Sequence, residues 1–412
     1  NVKHLKRLEQ FLNEVRSSST IKELAIAGDM FDEWYIPTRT DTYGSGSQAD
    51  FIRKTVAANQ AVFDVLNGII KDGKIKLTYI PGNHDRLANA TVKIRNKIRG
   101  FFGIAESDDY FPNQYLHYRD GDVRVLIRHG HEYDRTNFGA NLSHWPEIPT
   151  VIDKGYYDMP VLGDIVTMEI ASKLPLLFKK QYGEEAILEN KSLRRMYQRL
   201  IDFDNVRPNG AMVNFLFSTP GISKKEIWQI IEPVFRKILD DIAKNSSLAD
   251  DILSLGNFKR RSAKAIMSIF KARVWRRGLP LWLFNGLTNP AMQKTVHEAD
   301  ISILNKESFL KDGNTNMRCL VSGHTHNAMV RLLSVEDGIE KYYINSGTFR
   351  NVITTTPGQN KFGRLRSKAR ILIYEEGEQN PEYRRETGWS FDFNARLGFG
   401  DDVENSIDSL GD

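Results

Sequence analysis

Four short polar clusters punctuate this chain, and each follows a run that reads as a β-strand. They are "AGDMFDEW" with Asp29 and Asp32, "PGNHD" with Asn83, His84 and Asp85, "RHGHEYD" with His129 and His131, and "SGHTH" with His324 and His326. Segments of helical spacing separate the strand-like runs, an alternation that predicts an α/β class. Open α/β sheets bind their ligands at the carboxyl ends of strands. The fold must therefore carry residues as distant as Asp29 and His326 to one crevice. Five of the nine histidines lie in these clusters, a concentration that scattered packing does not produce.

Residues 2–16 place Leu5, Leu8, Phe11, Leu12 and Val15 at helical spacing, and "IKELAIAG" follows as a strand. Residues 48–70 again read as helical, "KIKLTYI" as a strand, and "VRVLIRHGH" as the end of another. From about residue 145 to 311 helical periodicity dominates, as in "KSLRRMYQRLIDF" and "KKEIWQIIEPVFRKILDDIA". Strands return with "MRCLVSGH", "AMVRLLSV", "EKYYINSG" and "ARILIYEE". The expectation is one α/β domain in two parts, 1–144 and 312–412, interrupted by a helical cap over 145–311. The stretch after residue 375 reads as a polar tail with an acidic end.

Composition narrows the function classes. With 41% hydrophobic and 26% charged residues the chain resembles an ordinary soluble globular protein, and no apolar stretch is long enough to cross a bilayer. The net charge of +5 is modest for 412 residues, so nucleic acid stays open but is not favoured as a partner. A single cysteine, Cys319, excludes an intrachain disulfide framework and favours a reducing, cytoplasmic compartment.

One segment qualifies that reading. Residues 258–277 hold eight Lys/Arg and no Asp or Glu, with Ile266, Ile269, Phe270 and Val274 at helical spacing. Together with "RRGLPLWLFNGL" they make 258–287 a candidate for peripheral contact with an anionic membrane. A pocket entrance attracting a phosphorylated substrate, and a helix packing its apolar side, are the competing readings.

The four clusters offer carboxylate, amide oxygen and imidazole donors, a mixed O/N set suited to Mn, Fe, Zn or Co. A carboxylate can bridge two cations, and a His-x-His pair can reach two neighbouring ions. Such a pair of ions about 3.5–4 Å apart clamps a phosphoryl group during in-line displacement.

The ordered set GDxxD, GNHD, HGH and GHTH, with "YINSGTF" after it, resembles the calcineurin-like metallophosphoesterase superfamily over residues 21–131 and 318–350. That resemblance implies a four-layer αββα sandwich, with the helical cap inserted between the third and fourth clusters. It implies that Asp29 bridges two metals, that Asn83, His129 and His324 complete one site, and that His326 joins the other. It further implies His84 as the catalytic histidine that assists the leaving oxygen while a metal-bridging hydroxide attacks, and Asp85 as the residue that orients His84. "GDMFDEW" followed by "PGNHD" is more similar to bacterial phosphodiesterase and pyrophosphatase branches than to protein phosphatases. UDP-diacylglucosamine pyrophosphate hydrolases are among those branches, so a phosphorylated small molecule or a lipid-linked substrate is implied. A phosphomonoesterase, a nuclease of the same superfamily, and a non-catalytic scaffold stay open as alternatives. The family's opening Asp-x-His does not precede Asp29, and it is expected a few residues upstream of Asn1.

Other polar residues carry two readings each. Asp32 reads as a supporting residue, a helix cap or a surface charge, and His131 as a substrate contact or a structural histidine. Arg86 and Arg350 read as phosphate contacts or surface ion pairs. Glu132 and Asp134 read as solvated charges, and His117 and His144 as ordinary strand or loop residues.

Overall fold

The helical spacing of the first residues forms α1 (Val2–Ser17), which sets Leu12 and Val15 into the core. In this computed structural model the described residues are 2–33, 47–161, 163–164, 167–207, 211–244, 301–311, 316–356, 361–374 and 389–399. The basic segment 258–287 lies outside them.

The strand β1 (Glu23–Ile26) pairs in parallel with β2 (Lys76–Tyr79), from Glu23 opposite Lys76 to Ile26 opposite Tyr79. Between them run α2 (Gln48–Ala58) and α3 (Gln60–Asp72), two helices where a continuous one was expected, parted at Asn59. A capping box at Ser47 and Asp50 starts the first, and Gly73 in the left-handed region ends the second. After β2 comes α4 (Val92–Phe102), capped by Thr91. These helices and strands share one core, in which Phe31, Phe63, Tyr79 and Phe102 meet ring to ring.

A five-stranded sheet follows, in the order β3 (Gln114–Arg119), β4 (Asp122–Arg128), β5 (Cys319–Ser322), β7 (Ile339–Asn345), β6 (Met329–Glu336). Its centre, β4–β5–β7, is parallel, and β5 is buried at every position, as a doubly covered strand must be. Val125, Cys319, Val321 and Ile344 pack towards Ile371, Ile373, Phe391 and Phe393 of a three-stranded antiparallel sheet. That sheet is β8 (Asn351–Thr355), β9 (Phe362–Tyr374) and β10 (Ser390–Phe399). The expected polar tail is corrected here: part of it is β10, whose alternating, half-buried Phe391 and Phe393 pack against the five-stranded sheet.

Leu126, Leu320 and Tyr343 belong to a separate core with Tyr133, Phe138, Ile148 and Phe309. The helices Lys173–Tyr182, Lys191–Ile201 and Lys224–Lys244 form a further core around Phe178, Met196, Phe215 and Ile231, which also takes in Ile353 of β8. Among the described residues no helix is long and apolar enough to cross a membrane.

Candidate metal and acid–base site

Two parallel strand pairs deliver the clusters. The loops after β1 and β2 leave side by side, as do those after β4 and β5, and the two pairs of ends meet. Gly323 N–H donates to the His129 carbonyl (2.8 Å), and His129 Nδ1 lies 2.5 Å from the Ala27 carbonyl. The junction is tight at Gly28 and Gly82: a Cβ on Gly82 would lie 2.2 Å from Asp29 Oδ1, and one on Gly28 2.3 Å from His129 Nδ1. Only glycine permits that approach. Asp29, Asp32, His324 and His326 all adopt positive φ, between 54° and 61°. Such a backbone is unusual outside glycine and persists where surrounding contacts over-determine it.

Asp29 Oδ2, Asn83 Oδ1, His129 Nε2 and His324 Nδ1 converge. His129 Nε2 is 3.2 Å from Asp29 and 3.0 Å from Asn83, and His324 Nδ1 is 3.1 Å from Asn83. Each ring has its outer nitrogen engaged by an acceptor: His129 Nδ1 by the Ala27 carbonyl, His324 Nε2 by Asp134 Oδ2 at 3.2 Å. In neutral rings so fixed, the inner nitrogens present lone pairs. Lone pairs and oxygens that face one another this closely require a proton or a cation between them. Ligands about 2.0–2.2 Å from one ion lie roughly 3–3.5 Å apart, and these three separations fall in that range. The Asn83 amide nitrogen is buried with no hydrogen-bond partner among the described residues, as expected if the residue is placed for its oxygen. Among the described residues no group of three or more His, Cys, Asp or Glu that could hold a metal ion is found, so Asp29, His129 and His324 do not make such a group by themselves; His129 and His324 are linked through the Asn83 oxygen.

Burial disfavours a charged His129, but Asp29 and the Ala27 carbonyl outweigh it and raise its pKa. Burial likewise works against the Asp29 carboxylate, and His129, His84 and His324 overcome it, holding its pKa well below the ordinary range.

His84 sits beside this group, its amide donating to Asp29 Oδ1 (3.0 Å). Its ring Nδ1 is 2.5 Å from Asp32 Oδ1, and Asp32 Oδ2 accepts from Arg350 (3.1 Å). Burial opposes charge on His84, but Asp29 and Asp32 prevail and raise its pKa from 6.5 to about 9. Arg350 also reaches Asp204 and Asn205, each at 3.2 Å. The expected role of Asp85 is corrected by this geometry. Its carboxylate is turned onto the amides of Met30, Phe31 and Asp32 and the Tyr79 hydroxyl, at 2.6–3.1 Å, so it staples the Asp29 loop to β2. Burial and Asp29 push its pKa up to about 6.

His326 is engaged apart from the four converging atoms. Arg207 Nη2 lies 3.1 Å from its Nδ1, and burial with the Arg207 and Arg350 charges drives its pKa well below 6.5. A guanidinium only donates, so Nδ1 accepts and the neutral ring carries its proton on Nε2. Arg207 is fixed by its own amide, which donates to Ile353 of β8 (2.8 Å).

The remaining expectations resolve by burial. Arg86 is an ion pair, but with a buried partner, Asp164 (2.9 Å), and it also bonds the Asp158 carbonyl. His131 is buried against Phe138 and Tyr157, and burial pushes its pKa down to about 4, so it is a neutral ring at the site's edge. Glu132 and Asp134 are not solvated charges. Glu132 is 1% exposed and accepts from the Gly130 amide and Tyr157, while Asp134 holds His324. Sequence reasoning also missed Asp204, Asn205 and Arg207, for which helical periodicity gives no signal.

Compared with known proteins, the chain matches no protein-family model and no curated protein.

Proposed function

We propose that the protein is a metal-dependent hydrolase of phosphate esters, acting on phosphodiester or pyrophosphate bonds. The observation that carries this reading is the convergence of Asp29, Asn83, His129 and His324 beside a His84–Asp32 pair. Asp29, Asn83, His129 and His324 would hold one divalent ion, Mn, Fe or Zn. A second ion would share Asp29 and take His326, provided Arg207 turns away from that ring. Bound ions supply Lewis-acid stabilisation of phosphoryl oxygens and a nucleophile from water at neutral pH. The packing of the five-stranded on the three-stranded sheet, with the helical core reaching Ile353 and Phe362 of the latter, supports the αββα sandwich as its architecture.

The chain's own groups supply the rest. His84, whose pKa Asp29 and Asp32 raise in the metal-free protein, would hold a proton for the departing oxygen. With Nδ1 committed to Asp32, the proton it delivers leaves from Nε2. Asp32 fixes the ring and is itself fixed by Arg350, and Asp134 and the Ala27 carbonyl fix the tautomers of His324 and His129.

The test is hydrolysis of bis(p-nitrophenyl) phosphate, compared with p-nitrophenyl phosphate, by protein loaded with Mn, Fe or Zn. Asp29→Asn and His84→Ala are expected to lose nearly all turnover while the protein stays folded by circular dichroism. Full activity in both variants overturns the reading.

A further inference from the structure

Asn83 and His131 line one open cleft. Aromatic side chains reach it from two parts of the chain: Tyr110 and Phe111 ahead of β3, and Phe138, Tyr156 and Tyr157 after β4. The first part is keyed to the catalytic loop, because the Asn89 amide both donates to the Phe111 carbonyl (3.1 Å) and accepts from its N–H (2.9 Å). The second is keyed to His131, whose ring meets Phe138 at 5.5 Å and Tyr157 at 5.6 Å. Asn113 also lines the cleft, half-buried, and its side chain makes no hydrogen bond among the described residues. Two cations stand along it: Arg86, held by Asp164, and Lys154, whose ammonium lies 3.3 Å from the centre of the Tyr110 ring.

An acyl chain needs an unbroken apolar lining, and here amides and cations interrupt the rings. A heterocyclic base needs π-faces for stacking and an amide to pair with its polar edge, while its phosphate needs positive charge nearby. We propose that the cleft binds a nucleoside, its base among the rings and against Asn113. The substrates of the adjacent site are then nucleotide diesters or diphosphates. The substrate assignment rests on the hydrolase reading; the binding assignment does not.

Calorimetric titration of the full chain with AMP, adenosine and ribose 5-phosphate, with and without Mn²⁺, tests it. AMP is expected to bind at least about tenfold more tightly than ribose 5-phosphate, a ratio within reach of one base stack. Adenosine is expected to displace AMP with or without the metal. Asn113→Ala and Tyr156→Leu are each expected to bring AMP down towards ribose 5-phosphate while the sugar phosphate binds as before. Equal binding of AMP and ribose 5-phosphate, or a base preference indifferent to both variants, overturns the proposal. Because adenosine binding needs neither metal nor turnover, an inactive enzyme leaves this result intact, and an active enzyme without base preference refutes the cleft alone.

Discussion

Asp32 Oδ1 lies 2.5 Å from Nδ1 of His84, and the other oxygen of the same carboxylate is held by Arg350. A carboxylate so placed raises the basicity of the ring and fixes which nitrogen carries the exchangeable proton. Asp32→Asn keeps the shape and removes the charge. It is expected to lower kcat about 10–100-fold, the usual cost of losing such an orienting partner. The alkaline limb of the pH–rate profile should move to lower pH. Both are read from kcat against pH with bis(p-nitrophenyl) phosphate.

His84, beside Asp29 and Asp32, makes stability depend on pH in the metal-free protein. The His84 pKa is raised from 6.5 to about 9 on folding. Its contribution is therefore fully present below about pH 6.5 and lost as pH rises through about 9, on the order of 3 kcal/mol. Urea unfolding from pH 6 to pH 10 should show the decline, and His84→Gln should flatten it.

Metal binding should release protons. Asp29 raises the pKa of His129 despite its burial, and a metal on its Nε2 would compete with that proton. Affinity for Mn²⁺ or Zn²⁺ is expected to rise with pH, and titration in buffers of different ionisation enthalpy should reveal the protons. Asp134→Asn is expected to weaken binding about 10–100-fold, because His324 loses its anionic partner.

Gly82→Ala tests the close approach of the loops after β1 and β2. The added methyl would lie 2.2 Å from Asp29 Oδ1 and 2.7 Å from the Asp29 amide nitrogen. We expect destabilisation of about 1–3 kcal/mol by overpacking, seen as a lower urea midpoint, together with loss of metal binding.

The strand-end motifs and most element types were legible because periodicity and turn chemistry are local. Depth was not. Glu132 and Asp134 look like any surface charges in sequence, yet Tyr157 and His324 occupy them in the fold. Asp85 adjoins His84 in sequence but serves the loop after β1, whereas Asp32 serves His84. The alternation of "SFDFNARLGF" was a readable signal for β10, obscured by polar neighbours. Nothing local links Arg350 to Asp204, since only the folded chain brings them together.

That last contact has a practical meaning for anyone rebuilding this protein. Asp204, Asn205 and Arg207 belong to the helical half of the chain, yet they grip Arg350 and His326 within the chemical centre. The helices cannot be excised or exchanged as a detachable module, because the arginine that steadies Asp32 would lose its counterweight. A minimal version trimmed to the strand-end motifs would keep the signature and loosen the His84–Asp32 pair.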